Sequence, residues 1–154
     1  MNVTRSLEQF FQTRQLNAYI GGFAIAAAAG QNGHVQLWNP NGSGRILVVR
    51  RIYAGGGTSN LALGYNNAVI GVKQMDGFNK FLTNAVGVGD VYSGNAGVIA
   101  GTTIAYFYQS TNGPSGELPI NDNIIIPQNL GLHVAPTTQN IGTSVTFEWI
   151  EIPV

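Results

Sequence analysis

The chain has no cysteine, which excludes disulfides and thiolate metal sites and leaves packing and backbone hydrogen bonds to hold the fold. Charge is scarce as well. Only 9% of the 154 residues are Asp, Glu, Lys or Arg, against roughly 25% in an ordinary soluble domain. Seven cations balance seven anions, with no basic run, so nucleic-acid binding has no electrostatic basis. No apolar stretch reaches the roughly 20 residues that a membrane-spanning helix requires. With two histidines in the whole chain, general acid–base chemistry has few participants to draw on.

Glycine (21 residues) and the amides (25 Asn and Gln together) take the place of charge. A surface of amides and hydroxyls stays soluble, yet gives up water more cheaply than a charged one on meeting a partner. Hydrophobic residues make up 44% and aromatics 10%, enough for a core that buries on the order of 70% of the unfolded chain's surface. The composition points to a protein packed among other subunits. An enzyme would need ionisable groups converging on one pocket.

The organisation reads as an arm over residues 1–18 followed by one domain over 19–154. Residues 5–16 carry the helical pattern, with Leu7, Phe10, Phe11 and Arg14 at helical spacing and Thr4 or Ser6 as a cap. This segment either covers the end of a sheet or docks its phenylalanines on a neighbouring protein. Tyr19–Gly30 imitates the apolar part of a signal peptide. Its long, mixed-charge approach, two glycines and little bulk favour an ordinary apolar strand.

Beyond Asn17 the pattern is one of strands and turns. His34–Trp38 alternates, sending Val35 and Leu37 to one face and His34, Gln36 and Trp38 to the other. Asn39-Pro40-Asn41-Gly42-Ser43-Gly44 is a dense turn, read as a hairpin. Arg45–Ala54 follows as a strand apolar on both sides, hence covered on both. Further strands are expected at Leu61–Tyr65, Ala68–Lys73, Val98–Gln109, Asn123–Pro127 paired with Leu130–Ala135 around Gln128-Asn129, and Ser144–Ile152. Residues 74–96 read as loop-rich, with a helical turn or loop at Asp76–Leu82. About eight strands with turns between them indicate an all-β, antiparallel, jelly-roll-like β-sandwich with a short N-terminal helix or arm.

Motifs for chemistry are sparse. Gly42-Ser43-Gly44 lacks the G-x-S-x-G frame of a nucleophile elbow, and Gly55-Gly56-Gly57 lacks the lysine of a phosphate loop. Glu148 and Glu151 differ in strand parity, so they do not form a paired-carboxylate site. Asp90, or Asp122 with Asn123, fits no calcium-loop pattern. The sequons at Asn2 and Asn41 are of a number that chance supplies. No catalytic, metal or cofactor residue is expected. Arg50 and Arg51 stand out: consecutive strand residues face opposite ways, so one guanidinium approaches a covered surface and needs a carboxylate. That partner is either Glu148 or Glu151 within the chain, or a group on another subunit.

The stretch Val35–Ile52 (VQLWNPNGSGRILVVRRI) resembles small β-sandwich structural proteins of tailed bacteriophages, in which Leu-x-Asn-Pro, a Gly-Ser-Gly turn and a basic residue precede an apolar strand. Ile124–Leu132 (IIIPQNLGL) and Phe147–Glu151 (FEWIE) resemble later strands of the same group. Gln128-Asn129 departs from its usual Pro-Gly, although Asn129 tolerates positive φ. The resemblance implies a non-enzymatic virion protein: a capsid decoration or cement protein, or another head or tail component, commonly a homotrimer. It implies assembly in the host cytoplasm and contact with the major capsid protein or another virion protein. Leu7, Phe10, Phe11, Arg50, Arg51 and Ile150 are the expected interface residues. The alternative is a carbohydrate-recognition module of a tail fibre or receptor-binding tip, with Trp38, Tyr53, Tyr65 and Tyr92 as its stacking platform.

Overall fold

A computed structural model of the chain describes residues 17–57, 59–80, 85–107 and 116–154, and every regular element among them is a strand. The ten strands are β1 (Ala18–Ile25), β2 (Asn32–Asn39), β3 (Arg45–Gly55), β4 (Leu61–Asn66), β5 (Val72–Asn79), β6 (Val86–Ala96), β7 (Thr102–Phe107), β8 (Gly116–Ile126), β9 (Leu130–Pro136) and β10 (Thr143–Pro153). All pair antiparallel in one curled sheet, ordered β7-β4-β9-β2-β6-β5-β1-β10-β3-β8. The helical reading of residues 5–16 lies outside the described residues.

The curl brings the two ends of the sheet face to face around one core. Val35, Leu37, Leu61, Leu63, Leu132 and Val134 supply one wall, and Leu47, Val49, Ile52, Val145, Phe147 and Trp149 the other. The alternation read in β2 and β10 is therefore the pattern of an inward apolar face. Trp149, 1% exposed, stacks on Tyr19 with ring centroids 6.1 Å apart. Its indole lies where side chains of Gly21, Gly77 and Gly89 would project. A methyl group at Gly77 meets the rigid six-membered ring directly, so Gly77→Ala is expected to lower unfolding stability by about 1–3 kcal/mol through overpacking. Urea titration of the variant beside the parent measures that loss.

Ten strands replace the expected eight, and the extra pair is β5–β6, in the stretch read as loop-rich. β5 has few β-branched residues and an exposed surface, so local sequence gives it little strand character. Its ladders to β1 and β6 make it a strand, with the salt-linked side chains of Lys73, Asp76 and Asp90 alongside. Residues 68–71, expected as part of a strand, belong to the connection before it.

Two readings of hairpins are corrected. β2 pairs with β6 and β9, whereas β3 pairs with β8 and β10, so the turn at 40–44 crosses between the walls. The β8–β9 connection crosses in the same way, joining strands that share no ladder. Both turns meet at Asn39, which is fully buried. Its amide donates to the carbonyls of Arg45 (2.9 Å) and Ile126 (3.0 Å), while its backbone carbonyl accepts from Asn129 N–H (2.8 Å). Gly42 N–H completes the tie to Gln128 Oε1 at 2.9 Å. Asn129 adopts the positive φ (62°) that its place in the turn demands. A one-sided apolar hairpin has no need of so buried an amide; a crossover between walls does, because it leaves carbonyls with no ladder partner.

Candidate functional site

The structure brings three of the expected interface residues to one place. Arg50, Arg51 and Ile150 line a polar depression of about 130 Å³ together with Lys80 and Glu148. Leu7, Phe10 and Phe11 lie outside the described residues. The depression spans neighbouring strands on the outer face of the sheet, where Arg51 stands opposite Glu148 across the β3–β10 ladder. Lys80, just past β5, reaches across β1: its N–H donates to Ala18 O (2.8 Å) and its ammonium lies 2.8 Å from Glu148 Oε2.

A β-bulge builds this site. The β3–β10 register skips Arg50, pairing Val49 with Trp149 and Arg51 with Glu148. Before the bulge Leu47 and Val49 point inward; after it Ile52 and Ala54 do. The extra residue resets the parity, so Arg50 and Arg51 line the same outer depression and do not face opposite ways. Period-two counting missed this because a bulge leaves no mark in an otherwise regular apolar run. Ile150 is only 3% exposed and Val48 opposite it 7%, so the outer apolar stripe of β3 and β10 is already covered. Ile125, cross-strand to Val48 on β8, is 58% exposed.

Among the apolar side chains left in the open are two groups. On the β5–β6 hairpin, Phe78 (62% exposed) faces Val86 (66% exposed) as a cross-strand pair, with Met75 beside them. At the seam of the curled sheet, Tyr65, Ile104, Ile125, Pro127 and Leu130 line an apolar cavity of about 210 Å³.

Glu151 occupies the core wall itself, 1% exposed. Its Oε1 accepts from Val88 N–H (2.8 Å), Gly89 N–H (3.0 Å) and Trp149 Nε1–H (3.1 Å), and Arg45 Nε lies 4.0 Å from Oε2. The carboxylate thus ties β6 to β10 inside the protein. Burial raises the Tyr19 hydroxyl above its ordinary range, and the Glu151 charge pushes the same way. Sequence parity placed Glu151 apart from Glu148, correctly, without showing that its face is the core.

A second buried polar layer covers the outer side of β2 and β9. Gln36, fully buried, donates to Asn66 Oδ1 (2.6 Å) and Ala68 O (3.0 Å) and accepts from Ile70 N–H (2.9 Å). Asn66 in turn donates to Ala100 O at 3.3 Å. These bonds hold the 67–71 and 97–101 connections down over His34 and His133, which are 1% and 5% exposed. Both nitrogens of His34, and Nδ1 of His133, lie buried outside hydrogen-bonding distance and angle of any partner. Burial lowers both imidazoles, His133 to about 4, with the His34 charge acting in the same direction. The Ile70 backbone, close to His34, opposes this slightly. His34 lies inside β2, which begins at Asn32. Trp38 belongs to the same face and is 7% exposed, so it does not stand out as a stacking surface.

The remaining ionisable cluster is on the β5–β6 surface. Lys73 Nζ lies 2.6 Å from Asp76 and 2.8 Å from Asp90, which are direct cross-strand neighbours. The Lys73 hydrogen bond lowers Asp76, whereas burial raises Asp90. Among the described residues no group of three or more His, Cys, Asp or Glu is placed to hold a metal ion. Comparison of the chain with protein-family models, curated proteins and solved structures finds no match.

Proposed function

We propose that the chain is a non-enzymatic structural subunit of a tailed-bacteriophage virion, specifically a decoration or cement protein of the head. It would assemble in the host cytoplasm as a homotrimer held against the major capsid protein or another virion protein. The observation that carries this reading is the exposed Phe78–Val86 pair on the β5–β6 hairpin, with a second apolar surface at the seam. Contiguous exposed apolar patches on a polar, weakly charged surface mark contact sites between proteins. The strand order supports the finer fold reading too. On that reading β8-β3-β10-β1 and β2-β9-β4-β7 would be the two leaves of a jelly roll, with β5–β6 as a hairpin bridging them.

Light scattering after size exclusion tests the assembly. The expected mass is three times that of the 16.3 kDa chain, and Phe78→Asp is expected to shift it to that of one chain. Burying a fresh carboxylate in an apolar contact costs several kcal/mol, more than an ordinary contact of one side chain returns. A parent protein that runs as a single chain at every concentration would count against the trimer, and particles with unaltered heat stability after its removal against the cement role. The carbohydrate alternative keeps Tyr65, 42% exposed, but has lost Trp38 to burial. A glycan array giving specific binding that is abolished by Tyr65→Ala would favour it.

A further inference from the structure

We propose that the connections 67–71 and 97–101 form a cover over the outer face of β2 and β9 that acid releases, with His34 and His133 as its triggers. The proposal stands whether or not the chain is a virion subunit. Each imidazole lies beneath the end of one connection. A side chain at Gly94 would begin 3.3 Å from His34 Cε1 and 3.0 Å from the Cα of Gly71, and one at Gly101 would begin 3.0 Å from His133 Cε1. Gly71 and Gly101 hold positive φ, 88° and 136°, so each connection ends on a backbone shape that glycine adopts without strain and that serves as a hinge. The cover is thin. Val69 is 42% exposed and Val98 88%, so the connections bury little apolar surface of their own, and lifting them costs far less than unfolding the chain.

The pins and the triggers share one layer. Gln36 holds 67–71 through Ala68 O and Ile70 N–H, and Asn66, bonded to Gln36, holds 97–101 through Ala100 O. The two connections are thus held in series and release together. Both nitrogens of His34 and Nδ1 of His133 are buried with no acceptor among the described residues in position to hold an added proton. Each ring is therefore neutral under the cover and takes up its proton once water reaches it, so acid favours the open form and neutral pH the closed one. The Ile70 backbone beside His34 favours the charged ring, but burial outweighs it. Charging His34 also opposes charging His133, which adds to the strain of the closed form in acid. The surrounding elements bring little competing charge. β4 sets Gly64 opposite His133, with Ala62 and Asn66 two residues to either side. β6 sets Gly94, Tyr92 and Asp90 opposite His34, Gln36 and Trp38, and Asp90 is held at 2.8 Å by Lys73, which also holds Asp76. The connections themselves carry no ionisable side chain.

Amide hydrogen exchange of the full chain, followed by NMR between pH 7 and pH 5, tests the proposal. The reporter is Ile70 N–H, whose acceptor is Gln36 Oε1. Its protection factor, corrected for the intrinsic pH dependence of exchange, is expected to fall about 20-fold from the His133 proton alone. Low urea is expected to leave that fall unchanged, because a local opening exposes little surface. The amides of Leu37 and Phe147, within core strands, should stay more protected than Ile70 throughout and should respond to urea. The double variant His34→Asn/His133→Asn should hold Ile70 protection constant with pH, whereas Asp90→Asn should leave the parent's fall intact. Three outcomes each overturn the proposal: Ile70 protection in the parent that is steady to within about twofold, exchange at Ile70 that tracks Leu37 and Phe147 in urea, or a fall that survives the histidine variant and vanishes with Asp90→Asn. The first two are read on the parent alone, so they hold even if a variant fails to fold. A His133 ring titrating at its ordinary 6.5 while Ile70 remains protected would overturn it as well.

Discussion

Replacing Glu151 by alanine is expected to lower unfolding stability by about 3–5 kcal/mol, the largest effect of any single charged residue in the chain. The substitution strands three donors, the part-buried Val88 N–H and the buried Gly89 N–H and Trp149 indole, and removes the carboxylate facing Arg45. Each orphaned donor costs about 1–3 kcal/mol of unrecovered desolvation, although a water entering the space would recover part. Glu151→Gln keeps an oxygen that the two backbone N–H groups can use, so it should recover more than half of the loss. Urea unfolding followed by tryptophan fluorescence reads both variants, since Trp38 and Trp149 are both buried. A Glu151→Ala protein within about 1 kcal/mol of the parent would mean that the β6–β10 tie contributes little.

Acid is expected to destabilise the protein well above the range in which carboxylates titrate. The His133 imidazole is held near 4 by burial, against an ordinary value of 6.5. Its neutral form is the folded form, so the unfolded chain takes up the proton first. The contribution is therefore fully present above about pH 6.5 and is lost as pH falls toward 4. A shift of that size corresponds to about 3 kcal/mol. His34 is lowered by burial too and adds in the same direction. The aspartates on the β5–β6 surface act in opposite directions, because Asp76 is lowered and Asp90 raised. Unfolding free energies at half-unit steps between pH 7 and 4 measure the slope. His133→Asn should flatten it by about one proton's worth, and an unchanged slope would remove His133 as its source.

The same imidazole layer shows where legibility ended. Parity in His34–Trp38 correctly separated an inner face, Val35 and Leu37, from an outer one. That outer face was read as open, since nothing in a local window says that 67–71 and 97–101 fold over it. Gln36 makes the connection through Asn66, Ala68 and Ile70, residues some thirty positions away. The candidate site was legible in a similar, partial way. Arg50 and Arg51 were picked out by their strangeness on an apolar strand, Ile150 was named with them as an interface residue, and the three do line one depression. Lys80 and the geometry of Glu148 were missed because they arrive from other strands.

Sequence alone determined the all-β class, the inward faces of β2 and β10, the tolerance of Asn129 for the positive φ it adopts and the absence of any thiol chemistry. These follow from side-chain size, backbone stereochemistry and period-two alternation, all of which act within a few residues. Tertiary structure decided that β5 is a strand, that the turns at 40–44 and 127–129 cross between walls, and that both arginines share a face. Each of those depends on which distant strand supplies the hydrogen-bond partner, and a bulge in one ladder is defined only against the strand beside it.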